Sequence, residues 1–502
     1  MTVSKNRCRE IMRKKIIVIG GGFAGLSAAT TLAKEGYDVT LLEKNTEAGG
    51  RARKLTIEGF TFDMGPSWYW MPDVFENYFS QFNTSVKEQY DLRRLDPSYA
   101  VFFGKEEVMR IPANLTEFYR LFEKYEPGSS KQLEKFLRDA KYKYEVSMSD
   151  FVHKPSLSLF EFVDLRILNA ALKMDLFKSI SSYIHKHFKN KKLIQLLEFP
   201  VLFLGAKPNE TPALYSMMNY ADIVLGTWYP MGGMHRIVEA MINVAEKQGV
   251  KILCGQTVEK IENHNGIATA VIVNGKKLEA DAVISAADYH HTEQMLLEED
   301  QRNYSQSYWK SRKMAPSCLM YYLGINKKLD GLEHHNLFFD TPFDLHAEEI
   351  YDRPQWPSQP LFYSTCASKT DPSVAPEGKE NLVLLIPIAV DIEDTEAIRE
   401  KYFTIMMDRL EHLTGQSIRE HVIVKKSYAI NDFRKDYNSF GGNAYGLANT
   451  LRQTAILKPR LKNKKVRNLY YAGQLTVPGP GVPPSIISGQ VAAKQLMKEL
   501  TR

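Results

Sequence analysis

Three glycines, Gly20, Gly22 and Gly25, stand directly behind the apolar run Lys15-Ile-Ile-Val-Ile19. The run is continuous and β-branched, as a strand covered on both faces requires, and the Ala- and Leu-rich stretch from Gly25 to Glu35 predicts a helix. Strand, Gly-x-Gly-x-x-Gly turn and helix together constrain this end of the chain to a dinucleotide-binding fold. Each glycine answers a separate demand: a tight turn, close approach of backbone to a pyrophosphate, and packing of helix on strand. The helix N-terminus then faces the phosphates. A second strand, Tyr37 to Leu42, ends on Glu43, placed to accept hydrogen bonds from a ribose hydroxyl. An acid there disfavours the 2′-phosphate of NADP, which leaves FAD or NAD. Glycines also occur in turns for steric reasons alone, so the reading rests on both strands, the helix and the acid together.

The next segment selects FAD. Gly49-Gly50-Arg51-Ala52-Arg53 leads into alternating Leu55 to Phe62 and then Asp63-Met64-Gly65-Pro66, an insertion that a simple NAD fold does not need. The glycine pair lets the chain pass beside a bound dinucleotide, and Arg51 and Arg53 can supply charge to its phosphates. The alternative for the arginines is a solvated basic turn. At the other end of the chain, Leu469 to Tyr471 predicts a strand, Gly473 permits a close backbone approach, and Val482 to Leu500 predicts a helix entered through Pro483 and Pro484.

At 502 residues with 44% hydrophobic content, the chain exceeds one core and predicts two or three structural units. The net charge of +6, from 65 basic and 59 acidic residues, resembles neither a nucleic-acid-binding domain nor an acidic tail. Cys8, Cys254, Cys318 and Cys366 are scattered without a CxxC pair, so neither a zinc site nor a disulfide framework is expected, and a reducing, cytoplasmic setting fits. The basic stretch Arg7 to Lys15 before Ile16 superficially copies a signal peptide, but the glycines interrupt the apolar run, and no window is expected to span a bilayer. No Ser/His/Asp arrangement or distinctive carboxylate pair stands out, so the catalytic residues stay unassigned.

Glycine fingerprint, acid and GGR element, in this order, resemble the superfamily of FAD-containing amine oxidases and phytoene desaturases. The stretch Asn468-Leu-Tyr-Tyr-Ala-Gly473-Gln-Leu-Thr476-Val-Pro478-Gly479-Pro-Gly481-Val482-Pro483-Pro484-Ser485, followed by Ser488-Gly489, is similar to the C-terminal signature of bacterial-type phytoene desaturases. Asp63 to Pro72 and Asp371 to Gly378 also look like that family, so the resemblance spans nearly the whole chain. It implies that the C-terminal helix, entered at Gly481, Val482 and Pro483, faces the pyrimidine end of the flavin, where its positive end would stabilise negative charge. It further implies that Val258 contacts the adenine by its backbone and that the Tyr229 to Gly233 loop lies near the cofactor. Gly65 and Pro66 join the expected cofactor-binding set. Neither flavin-proximal motif holds a Cys or His, so the FAD is expected without a covalent link.

From Leu115 to Tyr220 the pattern is mainly helical, with Phe160, Phe162, Leu165, Ile167, Leu168, Leu172, Leu176, Phe177, Ile180 and Tyr183 at three-and-four spacing. Between Phe151 and Gln195, eight basic residues (Lys154, Arg166, Lys173, Lys178, Lys186, Lys189, Lys191, Lys192) face three acids (Glu161, Asp164, Asp175), an excess of +5. Such a segment suits an anionic membrane surface or a solvated face over a protein core. The resemblance favours the membrane, because a hydrocarbon substrate must be collected from lipid. His185 and His187 read as interfacial side chains and not as metal ligands.

The expected architecture is α/β: a Rossmann-like FAD-binding domain with an inserted substrate-binding β-sheet region and a helical membrane-associating region. Its segments are a basic tail (1–15), FAD-binding parts (16–90, 226–300 and 441–502), a substrate region with the membrane-associating segment (91–225) and a substrate-binding sheet region (301–440). The resemblance implies FAD-dependent desaturation of a carotenoid precursor, phytoene to lycopene or neurosporene, with Trp68, Tyr69 and Trp70 as candidates for an apolar tunnel lining. A C30 analogue, a later carotenoid intermediate and a flavin amine oxidase are the alternatives. A single fingerprint, already taken by FAD, leaves oxygen or a quinone as the electron acceptor. The protein would sit peripherally on the cytoplasmic side of the membrane.

Overall fold

The computed structural model describes residues 13–157, 178–450 and 452–501. Most of the basic tail and the apolar positions from Phe160 to Phe177 lie outside the described residues.

The first strand, Lys15–Ile19, is buried from Ile16 onward and sits at the centre of a five-stranded sheet. Across that sheet the order is Leu469–Tyr471, Ala282–Ser285, Lys15–Ile19, Asp38–Leu42 and Lys251–Leu253, and every pairing is parallel. A parallel sheet needs cover on both faces, which explains why these strands read as uninterrupted apolar runs. The chain leaves the first strand to one side and returns later on the other, so a crevice opens beyond its carboxyl end.

The first helix, Phe23–Lys34, is buried almost throughout because the C-terminal helix, Val482–Leu500, lies along it. Ser27 Oγ donates to the Ile486 carbonyl at 2.7 Å, and a Cβ at Gly489 would come within 2.2 Å of the Ala24 carbonyl oxygen. The helices approach that closely only because position 489 has no side chain. The helix His235–Lys247 shares the same core. Val258–His264 opens an antiparallel meander with Ile267–Val273 and Lys276–Glu279.

A second sheet has seven strands, in the order Val422–Tyr428, Ser317–Ile325, Glu380–Ile388, Phe362–Thr365, His335–Phe338, Tyr99–Gly104 and Glu107–Ile111. Its pairings are antiparallel except that between Tyr99–Gly104 and His335–Phe338. The helix Glu396–Thr414 covers one face through Tyr402, Phe403, Met406 and Leu410. The other face receives Phe60 and Phe62 from the hairpin Lys54–Ile57/Phe60–Asp63, and Tyr322 Oη donates to the Met64 carbonyl at 2.8 Å. The fold is thus mixed α/β, with the GGR insertion bridging the parallel sheet and the antiparallel one.

Helices Leu115–Tyr125, Ser129–Val146, Ile180–His187 and Lys191–Glu198 pack around Phe118, Phe122, Phe136 and Phe188. Ile180 and Tyr183, two of the positions read as a membrane-facing stripe, are buried in this protein core. Among the described residues no helix is long and apolar enough to cross a membrane.

Candidate active site

The cleft lies at the carboxyl ends of the parallel strands. Gly20 adopts φ +99°, where a side chain is strained, and a Cβ on Gly25 would lie 1.9 Å from the Gly20 carbonyl oxygen. Both are therefore glycine for reasons internal to the protein. Gly22 differs: a Cβ there would meet nothing closer than Gly50 Cα at 3.9 Å. The space in front of it is open, and it begins the first helix with no side chain capping the helix amides. Gly473, at φ +110°, has the same open surroundings, with only Ala24 Cβ at 3.9 Å. Its amide receives its partner from behind, donating to Ser488 Oγ at 2.9 Å.

Glu43 is 5% exposed and ties the turn together. Its Oε2 accepts from the Gly21 amide at 2.7 Å, and its Oε1 accepts from the Asn45 amide and side chain at 2.8 Å each. A carboxylate offers about four lone-pair sites, so room remains for a ribose hydroxyl.

Gly20, Gly22, Glu43, Gly50, Arg51, Val258 and Gly473 all line this one cleft, drawn from three distant parts of the chain. The Arg51 guanidinium donates to Ser439 Oγ at 3.2 Å and to the Asn443 carbonyl at 3.3 Å, and lies 5.0 Å over the Tyr437 ring. Burial holds its pKa below the usual arginine value, against the opposing pull of Tyr437 and Asp288, and its Nε is buried without a partner among the described residues. An orphaned cationic donor at the wall of an open cleft fits an anionic ligand.

Other expected residues stand behind the wall. Arg53 does not line the cleft, contrary to expectation: Asp436 takes its guanidinium at 2.6 Å, so its charge is neutralised there. Gly65 is glycine because a Cβ would lie 2.5 Å from the Arg51 carbonyl oxygen, and Pro66 follows it. Gly481, Val482 and Pro483 open the C-terminal helix, whose first turn reaches the cleft through Ser485. Ala286, Ala287, Asp288 and Gln474 also line the cleft and were not foreseen. Asp288 is half-buried, desolvation raises its pKa, and it accepts from the amides of His291 and Phe440 at 3.0 and 3.3 Å. The only sequence signal for it was an acid just after the strand Ala282–Ser285, a helix-capping position.

Two of the singled-out stretches meet at the Tyr229 to Gly233 loop. Asp371 accepts from the Gly232 amide and lies 3.5 Å from Tyr229 Oη, while Asp63 accepts from the amides of Met234 and His235 at 3.0 and 3.4 Å. Burial pushes the Asp63 pKa up to about 6, with the two amides opposing. Gly233 has φ +98°, and a Cβ there would come 2.8 Å from Asp63 Oδ1. Each stretch thus supplies an acid that fixes this loop at the head of the helix His235–Lys247.

Beside it, Trp68 stacks on His335 with centroids 4.2 Å apart and an 11° tilt, within contact of Trp70, Tyr99, Phe199 and Tyr363. Tyr69 does not join them. It turns to the opposite side, stacking on Phe75 at 4.2 Å with its hydroxyl 2.9 Å from that of Tyr90. His335 Nδ1 lies 2.7 Å from Tyr363 Oη, which lies 2.9 Å from Ser67 Oγ, and burial holds the imidazole far below its usual pKa. Among the described residues no group of three His, Cys, Asp or Glu could hold a metal.

Residues 23–497 match the family described as flavin containing amine oxidoreductase. The chain belongs to that family. It is 39% identical to the carotenoid 3,4-desaturase of Haloarcula japonica over 492 residues, covering 98% of this chain and 99% of that protein. To the zeta-carotene-forming phytoene desaturase of Myxococcus xanthus it is 29% identical over 492 residues, covering 96% and 94%. The crystal structure of an oxidoreductase from Methanosarcina mazei shares the fold, with a TM-score of 0.63, 19% identity and coverage of 97% of this chain and 100% of that one. The chain is an FAD-dependent oxidoreductase. The open glycines and the orphaned Arg51 Nε fit that cofactor: Gly20, Gly22 and Arg51 would hold the pyrophosphate, Glu43 the ribose, and Val258 and Gly473 the flanking walls.

Proposed function

We propose that this protein desaturates a carotenoid, with phytoene as the substrate first expected and lycopene or neurosporene as product. The observation that carries the reading is the 39% identity to a carotenoid 3,4-desaturase across almost the full length of both chains. The higher identity to that protein than to the Myxococcus phytoene desaturase favours, as a second reading, a later carotenoid intermediate. When bound, FAD would supply the two-electron acceptor for hydrogen removed from an allylic carbon.

The chain's own contribution is positioning and exclusion of water. Trp68, Trp70, Tyr99, Phe199 and Tyr363 form an aromatic wall drawn from the stretch behind the insertion, the seven-stranded sheet and the turn after the helix Lys191–Glu198. Such a wall offers a polyene apolar contact without polar competition. The Asp63 and Asp371 contacts hold the Tyr229 to Gly233 loop rigid beside it. Substrate enters from a membrane surface that the protein meets peripherally on the cytoplasmic side, and the exposed Lys186, Lys189 and Lys191 support that attachment. Oxygen or a quinone takes up the electrons.

The test is turnover: FAD-loaded protein, given vesicles carrying phytoene, its C30 analogue or a later carotenoid, is expected to lengthen the conjugation of at least one. Oxidation of an amine with no carotenoid turned over would refute the reading.

A further inference from the structure

Lys458 is 3% exposed, and its Nζ has neither a hydrogen-bond nor an ion-pair partner among the described residues. Asn449, 2% exposed, leaves its Oδ1 equally without one. Both atoms converge on one place. A Cβ built on Gly479 would lie 3.2 Å from Lys458 Nζ and 3.5 Å from Asn449 Oδ1, and Gly479 stands at φ +139° in the loop that feeds the C-terminal helix. The segment behind that loop is held firmly, since Thr476 Oγ1 donates to the Pro459 carbonyl at 2.7 Å.

An amine and an amide oxygen buried without partners are each costly, the amine more so when charged. Burial alone pulls the Lys458 pKa down to about 7, with no acid nearby to restore it. A donor and an acceptor orphaned side by side are both satisfied by a ligand edge that sets an acceptor beside a donor. An imide, carbonyl next to N–H, has that pattern, and the pyrimidine ring of a flavin presents one.

The helix entrance gives a second reason. The helix begins Val482-Pro483-Pro484, and proline has no N–H, so Val482 alone of its first three positions can donate. Ser485 N already donates to the Gly481 carbonyl at 3.0 Å. Only the Val482 amide is left at this helix end to answer negative charge on a ring edge, and a cation beside it would add to that.

We propose that Asn449 and Lys458 seat the imide edge of the flavin ring, Asn449 Oδ1 accepting from its N3–H and Lys458 Nζ donating to an adjacent carbonyl and countering negative charge there. The inference rests on the proposed placement of the C-terminal helix at the pyrimidine end of FAD.

Lys458→Met tests it, a substitution the fold should tolerate because it removes an unpaired buried amine. In the FAD-loaded variant, the ratio of affinities for reduced and oxidised FAD, read from the midpoint potential, is expected to fall at least tenfold, and Lys458→Arg is expected to recover part of it. An unchanged ratio with FAD fully bound would overturn the proposal. Wild-type protein stripped of flavin provides a second measurement that needs no variant. N3-methyl-FAD, which lacks the donor and sets a methyl against Asn449 Oδ1, is expected to bind at least tenfold more weakly than FAD; equal affinity would overturn the proposal. Failure of the wild type to bind FAD at all would instead refute the cleft reading beneath it.

Discussion

The Gly21 amide donates to Glu43 Oε2 at 2.7 Å, so the carboxylate that ends the second strand also holds the glycine turn that ends the first. Glu43→Ala removes that bond and the ribose acceptor together. A hydrogen bond to a charged group contributes about 1.5–3 kcal/mol, so FAD affinity is expected to drop by one to two orders of magnitude in a flavin fluorescence titration. Glu43→Gln, which keeps an acceptor for Gly21, should lose less. Equal losses would separate the turn from the charge.

Gly22 and Gly25 should fail in different ways. Gly25→Ala drives a methyl into the Gly20 carbonyl, so thermal stability and FAD binding are expected to fall together. Gly22→Leu fills open space in front of the helix and should abolish FAD binding while the apoprotein melts near the wild-type temperature. An apoprotein equally destabilised by both would contradict the cradle.

Those glycines were legible in the sequence because their demands are local: strand, turn and helix follow one another within twenty residues, and Glu43 closes the next strand. The C-terminal helix was legible for the same reason, with Pro483 and Pro484 marking its start. Contacts between distant segments were not. Trp68 meets His335 and Tyr363 only because the insertion lies against a sheet whose strands come from two separated stretches, residues 99–111 and 317–428. Arg53 reads like Arg51 until Asp436 is placed beside it, and Tyr69 reads like its neighbours until the backbone turns it toward Phe75. Lys458 gave no signal, since a lysine's burial depends on what folds over it.

Asp222 is buried, and its pKa is pushed from 3.8 up to about 7 by burial, with Tyr99 and Thr227 hydroxyls opposing. The folded protein keeps this proton up to about pH 7, whereas the unfolded chain releases it near 3.8, so the folded state binds more protons across that window. Stability is therefore lost as pH rises through it, by an amount on the order of a few kcal/mol for this group. Asp63 and Glu293, raised to about 6 and about 7, act in the same direction. Asp222→Asn is expected to reduce the fall in melting temperature between pH 5 and pH 8. A fall as steep as in the wild type would show that Asp222 titrates normally in the fold.

Lys186, Lys189 and Lys191 are exposed, whereas Lys192 is paired with Glu107. Each lysine near an anionic surface contributes about 1 kcal/mol, so replacing the three exposed ones with Glu should reduce co-sedimentation with anionic vesicles at least tenfold. High salt should narrow the difference. Unchanged sedimentation would leave these lysines as a solvated face over the core that holds Ile180 and Tyr183.

Action of the cleft's cofactor on a carotenoid is tested by product analysis after anaerobic incubation of the FAD-loaded protein, a quinone and vesicles carrying phytoene, its C30 analogue or a carotenoid saturated at the 3,4 position. A product with longer conjugation, seen as absorbance shifted toward the red, is expected from at least one of these. No product from any of them, with rapid oxidation of an amine by the same bound flavin, would contradict it.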